Sequence, residues 1–179
     1  MCGLTGFLQT GGGSEADMGA AVARMSRSLR HRGPDDEGVW SDGAAGIALG
    51  FRRLAIIDLT PAGHQPMVSS DGRWVLMLNG EIYNFLELRA ELEASGSRFR
   101  GRSDTEVILE GMVRWGLERT IENLNGMFAI ALWDRRDRIL HLARDRFGEK
   151  PLYYGWMGNV FLFGSEIKAL RAHPAFGAE

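Results

Sequence analysis

A single cysteine, Cys2, stands among 179 residues, so no internal disulfide can form and a disulfide-stapled scaffold is excluded. Proline is scarce at 5 residues, while 24 glycines lie scattered between apolar segments without a collagen period. That pattern points to many tight turns in a β-rich fold. Long apolar runs are missing as well. The longest charge-free apolar stretches, around Gly43–Phe51 and Asn125–Trp133, fall far short of the ~20 residues of a spanning helix. The N-terminus has no basic flank and soon meets Glu15 and Asp17, unlike a signal peptide. No membrane is expected as a partner, and the expected address is the cytoplasm. There is no basic excess either: the formal net charge is -2, which argues against a nucleic-acid backbone as a partner. What is present, 45% hydrophobic and 25% charged residues, is enough to bury one ordinary globular core.

Periodicity supplies the elements. Cys2–Gln9 reads as a buried strand. Ser14 caps a helix over Glu15–Leu29 that carries Met18, Val22, Met25 and Leu29 on one face, and Arg30-His31-Arg32-Gly33-Pro34-Asp35 ends it. Strands are predicted at Glu37–Ser41, Ala45–Phe51, Leu54–Asp58 and Trp74–Leu78, the last running into Asn79-Gly80-Glu81. Helices are predicted at Phe85–Ala94, Asp104–Trp115 and Glu118–Leu124. Strands follow at Met127–Trp133, Ile139–Arg144, Leu152–Gly155 and Val160–Gly164, arranged as two hairpins, and a closing helix at Ser165–Arg171. No repeat or linker interrupts the chain, so one domain is read over 1–179. Strands in blocks around a few helices favour an α+β fold of stacked antiparallel sheets with helices outside.

Three sets of residues could carry chemistry. A cysteine inside a strand is usually a small buried apolar residue. At position two the chemistry changes, because removal of Met1 places a free α-amine on the carbon that bears the thiol. An amine of pKa near ~7.7–8.0 can serve as base for a thiol of about 8.5, so one residue supplies nucleophile and base. Asn79-Gly80 could be a plain turn. It also offers an amide side chain and a backbone N–H, the two donor types of an oxyanion hole, with Glu81 following. Arg53 taken alone is a solvated charge, and Asp104 an acid of a helix first turn. Together they suit the carboxylate and the ammonium of a free amino acid.

With Met-Cys-Gly-Leu-Thr-Gly at the start, five further strings appear in order: Arg30-His31-Arg32-Gly33-Pro34-Asp35, Arg53-Leu54-Ala55-Ile56-Ile57-Asp58, Asn79-Gly80-Glu81-Ile82-Tyr83-Asn84, Ser103-Asp104-Thr105-Glu106 and Arg144-Asp145-Arg146-Phe147-Gly148. Over essentially its whole length the chain resembles the N-terminal glutaminase domain of glutamine-hydrolysing asparagine synthetases, a class II glutamine amidotransferase. The resemblance implies an N-terminal-nucleophile hydrolase fold, a four-layer αββα sandwich of two antiparallel sheets. It implies Cys2 as nucleophile and Asn79 with Gly80 as oxyanion hole. L-Glutamine would be held by Arg53, the backbone through Leu54, Ala55, Ile56 and Ile57, and by Asn79, Gly80, Glu81 and Asp104.

The family continues into an ATP-using synthetase domain with a Ser-Gly-Gly-x-Asp-Ser loop, and no such string occurs here. ATP and Mg are therefore expected only with that separate or C-terminal partner domain. No cofactor or metal is expected in this one, since the four histidines show no ligand spacing. Aspartate is the first expectation for the ammonia acceptor, with a sugar carboxylate as the alternative. A non-catalytic domain that senses glutamine or binds a partner is the rival from another class. It predicts loss of a catalytic part, yet Cys2, Arg53, Asn79, Gly80 and Asp104 are all present. Whether the protein forms a homodimer is left open.

Overall fold

A computed structural model describes residues 1–177. The chain divides into two compact units, Met1–Leu54 with the segment from Lys150 onward, and Ala55–Glu149. The first unit holds a five-stranded antiparallel sheet of order β2-β3-β1-β9-β8. Its strands are β1 (Gly3–Gln9), β2 (Asp36–Asp42), β3 (Ile47–Arg53), β8 (Tyr153–Met157) and β9 (Val160–Gly164). Helix α1 (Glu15–Arg27) packs on this sheet and α5 (Ile167–Arg171) on β9. Met18, Ala21, Val22 and Met25 of α1 meet Phe7, Ala48 and Leu162 in the core of this unit. Ser14 caps α1 as expected, its side chain accepting from Asp17 N–H.

The second unit holds a four-stranded antiparallel sheet of order β4-β5-β6-β7. These strands are β4 (Met67–Val68), β5 (Trp74–Ile82), β6 (Gly126–Asp134) and β7 (Ile139–Arg144). Helices α2 (Phe85–Ala94) and α3 (Asp104–Trp115) pack with α4 (Leu117–Asn123). Trp74, Leu76 and Leu78 of β5, with Phe128, Ile130 and Leu132 of β6, form the face buried against Leu88, Leu92, Ile108 and Met112. The alternate residues Val75, Met77, Ala129, Ala131 and Trp133 are buried too. Both faces are dry, so the strand reads as a continuous apolar run without polar alternation.

The α+β class with two antiparallel sheets is the class expected from the sequence, and both predicted hairpins form, as β6–β7 and β8–β9. Two expectations fail. Leu54–Asp58 is not a strand. β3 ends at Arg53 because its neighbours end there, with Arg52 opposite Gly3 and Arg53 opposite Asp36. Beyond it Asp58 closes a local turn, accepting from Thr60 N–H at 2.8 Å and Thr60 Oγ1 at 2.6 Å. The second failure is at Asn79-Gly80, where β5 does not stop. It stays in register with β6 through Asn79↔Ala129, Gly80↔Phe128 and Glu81↔Met127.

Candidate active site

In the first unit, Cys2 sits immediately before β1, and two contacts fix it. Its Sγ accepts from Leu54 N–H at 3.4 Å and lies 3.6 Å from Leu54 O. A thiol can use both groups, one as donor and one as acceptor; a thiolate is favoured by the N–H. Its carbonyl accepts from Arg32 Nε at 2.8 Å. The start of β1 is locked by Leu4 N–H donating to Ser165 Oγ at 3.1 Å and Ser165 N–H to Leu4 O at 2.8 Å. Arg32 is held in turn by Glu166 Oε1 at 3.0 Å, and the same carboxylate meets His31 Nε2 at 3.0 Å and Lys168 Nζ at 3.1 Å. Burial pushes the Glu166 carboxyl upward, but its bonds to Arg32, His31 and Lys168 outweigh that and bring it down to about 2.

Arg53, at the end of β3, is buried. Its carbonyl accepts from Asp35 N–H at 3.1 Å, and Arg52 Nε donates to Gly33 O at 2.9 Å. The Arg-Gly-Pro-Asp string thus closes onto the end of β3. Gly33 is required for this, because a Cβ there would lie 2.3 Å from the Arg52 carbonyl carbon. Leu54 is half-buried beside the sulfur.

In the second unit, Ala55 and Ile57 are half-buried and Ile56 is exposed, in a segment without regular structure. Asn79, Gly80 and Glu81 follow one another along β5. Asn79 and Glu81 share one face of the strand by its period of two. Alternate N–H groups leave a strand on the same edge. Leu78 N–H donates to Gln65 Oε1 at 2.7 Å and Ile82 N–H to Asp104 Oδ2 at 3.1 Å. The Gly80 N–H lies between these two on that edge, past the end of β4, which pairs only with Leu76 and Val75. Asp104 opens α3 and is buried, its Oδ1 accepting from Thr105 N–H at 2.9 Å. Burial pushes its carboxyl above the usual range. The N–H groups of Ile82 and Thr105 pull the other way, and the nearby Glu81 charge pushes it up again. Glu81 lies near enough for its charge to be felt at the buried Asp104, and two such acids would favour a cation beside them.

Arg32, Glu166 and Gln65 were given no role by sequence reasoning. Arg32 lies in a string that the resemblance singles out, which was the available signal. Glu166 and Gln65 act on backbone groups and on other side chains, and no spacing announces that. Among the described residues no cluster of His, Cys, Asp and Glu could hold a metal, and no helix is long and apolar enough to cross a membrane.

The chain has relatives among known proteins. The sequence matches a family described as a glutamine amidotransferase domain over residues 1–179. It is 43% identical over 176 residues to asparagine synthetase [glutamine-hydrolyzing] 3 of Bacillus subtilis, covering 97% of this chain and 28% of the relative. It is 45% identical over 182 residues to a putative glutamine-hydrolysing asparagine synthetase of Mycobacterium bovis, covering 95% of this chain and again 28% of the relative. The chain therefore spans little more than a quarter of either relative. Among solved structures, a glutamine phosphoribosylpyrophosphate amidotransferase from B. subtilis superposes with a TM-score of 0.81 at 23% identity, over 96% of this chain and 43% of that one, which shows a shared fold. A family match along the whole chain leaves one conclusion: the chain belongs to the glutamine amidotransferase domain family.

Proposed function

We propose that this chain hydrolyses the side-chain amide of L-glutamine, and that it does so in the cytoplasm as the ammonia-supplying part of a larger enzyme. The observation that carries the reading is Cys2, second in the chain, with its sulfur on the Leu54 N–H at 3.4 Å. Once Met1 is removed, the α-amine takes the thiol proton and the thiolate attacks the amide carbon. The oxyanion takes hydrogen bonds from the Asn79 amide and the Gly80 N–H. On collapse the C–N bond breaks, the ammonium returns its proton to the leaving nitrogen, and ammonia departs. A γ-glutamyl thioester remains. Water, deprotonated by the same amine, attacks it to release glutamate and regenerate the thiol. Arg53 pairs with the substrate α-carboxylate and Asp104, with Glu81, takes the α-ammonium, while the backbone at Leu54–Ile57 lines the substrate.

Hydrolysis in this scheme uses no cofactor. ATP and Mg serve a synthetase domain that activates the acceptor, for which we propose aspartate, in keeping with relatives named asparagine synthetases. The test is glutamate release by Met1-free protein without ATP, set beside Cys2→Ala, which should show none. Turnover by Cys2→Ala comparable to the parent would end the reading. The raised Asp104 carboxyl adds a pH signature. An ammonium binds the ionised carboxylate, so glutamine affinity should fall as pH drops through the Asp104 pKa, which lies on the neutral side of 3.8. Asp104→Asn should weaken binding and remove that acid limb. An acid limb unchanged in Asp104→Asn would assign the titration elsewhere.

A further inference from the structure

The loop that leads into α3 is gripped by two buried carboxylates that the proposed chemistry does not use. Three successive backbone N–H groups donate to them: Arg100 to Glu106 Oε1 at 2.8 Å, Gly101 to Glu106 Oε2 at 2.8 Å and Arg102 to Asp58 Oδ2 at 2.7 Å. Both acids are buried, and Asp58 is braced through its other oxygen by Thr60. The loop carbonyl at Gly101 accepts from Arg89 Nη1 of α2 at 2.8 Å, so the loop is held from both sides. The packing allows no slack. A Cβ at Gly101 would stand 2.6 Å from Asp58 Oδ2 and 2.8 Å from the Ala62 Cβ. Ser103, next in line, caps α3 by accepting from Glu106 N–H at 3.2 Å, and Asp104 follows it.

We propose that Asp58 and Glu106 are positioning residues for amino-group recognition: by clamping the Arg100–Arg102 backbone they set where Asp104 presents its carboxylate to the ammonium of the substrate. A buried carboxylate is a costly way to hold a loop that water could satisfy. Two of them, spent on three consecutive amides just before Ser103 and Asp104, define the position of the Asp104 carboxylate more closely than helix capping alone. This inference rests on the reading of Asp104 as the ammonium partner.

The test is calorimetric binding to the Cys2→Ala protein, where no ligand is consumed, with L-glutamine and with glutaramate, which is glutamine without its α-amino group. Asp58→Asn and Glu106→Gln should each weaken glutamine by about tenfold or more and leave glutaramate within about twofold, because only the ammonium contact is displaced. Equal losses for both ligands, or none, overturn the inference. Asp104→Asn is the reference. If it loses the preference for glutamine while the two clamp variants keep it, the inference alone fails; if it keeps the preference itself, the Asp104 reading and the inference fall together. Should either carboxylate variant unfold, Thr60→Val, which removes one bond to Asp58 and keeps both acids, must show the same selective loss at smaller size. An unselective or absent effect there also overturns the inference.

Discussion

At Gly80 a single methyl group has no place to go, since a Cβ would stand 2.3 Å from Met127 O and 2.7 Å from the Phe128 Cα of β6. The oxyanion reading of the sequence asks of Gly80 only its backbone N–H. The structure adds a second demand, from the neighbouring strand. Gly80→Ala should therefore lower the thermal midpoint as well as the activity, because β6 must shift to make room. A variant with the parental midpoint would show that the strand gives way freely. Asn79→Ala is the cleaner probe of chemistry. It should lower kcat by about 10²-fold or more with little change in KM, as expected for a donor aimed at the developing oxyanion. A change in KM alone would remove Asn79 from that role. As candidates these residues stand out in the sequence because the chemistry proposed for them depends on type and place: a cysteine at position two, an amide beside a glycine.

Among the elements, the boundaries of α2 and α3 were read residue for residue, since an apolar stripe at helical spacing with Ser103 before it leaves little freedom. Leu54–Asp58 misled, because Ala55, Ile56 and Ile57 are as apolar as a strand while no neighbouring strand extends past Arg53 to pair with them. The devices that join elements were illegible. Gln65 is one: it accepts from Leu78 N–H at 2.7 Å and donates to Thr105 Oγ1 at 3.1 Å, tying β5 to α3 on either side of the Asn79 and Asp104 positions. Gln65→Ala leaves a buried N–H unpaired and should cost about 1–3 kcal/mol in denaturant unfolding. Glu166, which precedes α5, gives a pH test. Its pKa is depressed from the usual 4.5 to about 2, so its stabilisation is full above about 4.5 and is lost as pH falls through about 2. The stability gap between parent and Glu166→Gln should be constant at neutral pH and close across that acid window. A gap that persisted at its neutral value below pH 2 would contradict the ion cluster.

For the molecule as a whole, composition points to the class and the ordered strings to the family, while the supporting carboxylates and amides are visible only in the structure. Cys2 and Arg53 belong to one compact unit; Asn79, Gly80, Glu81 and Asp104 belong to the other. What binds them into one account is a single covalent event at Cys2. The most direct measurement is intact-protein mass spectrometry of the Met1-free chain, quenched in acid during turnover of glutamine without ATP. A γ-glutamyl adduct on Cys2 that disappears as glutamine is exhausted is expected, with no adduct on protein that retains Met1. Steady glutamate release with no adduct at any quench time, or an equal adduct on the Met1-retaining form, would contradict the proposed mechanism.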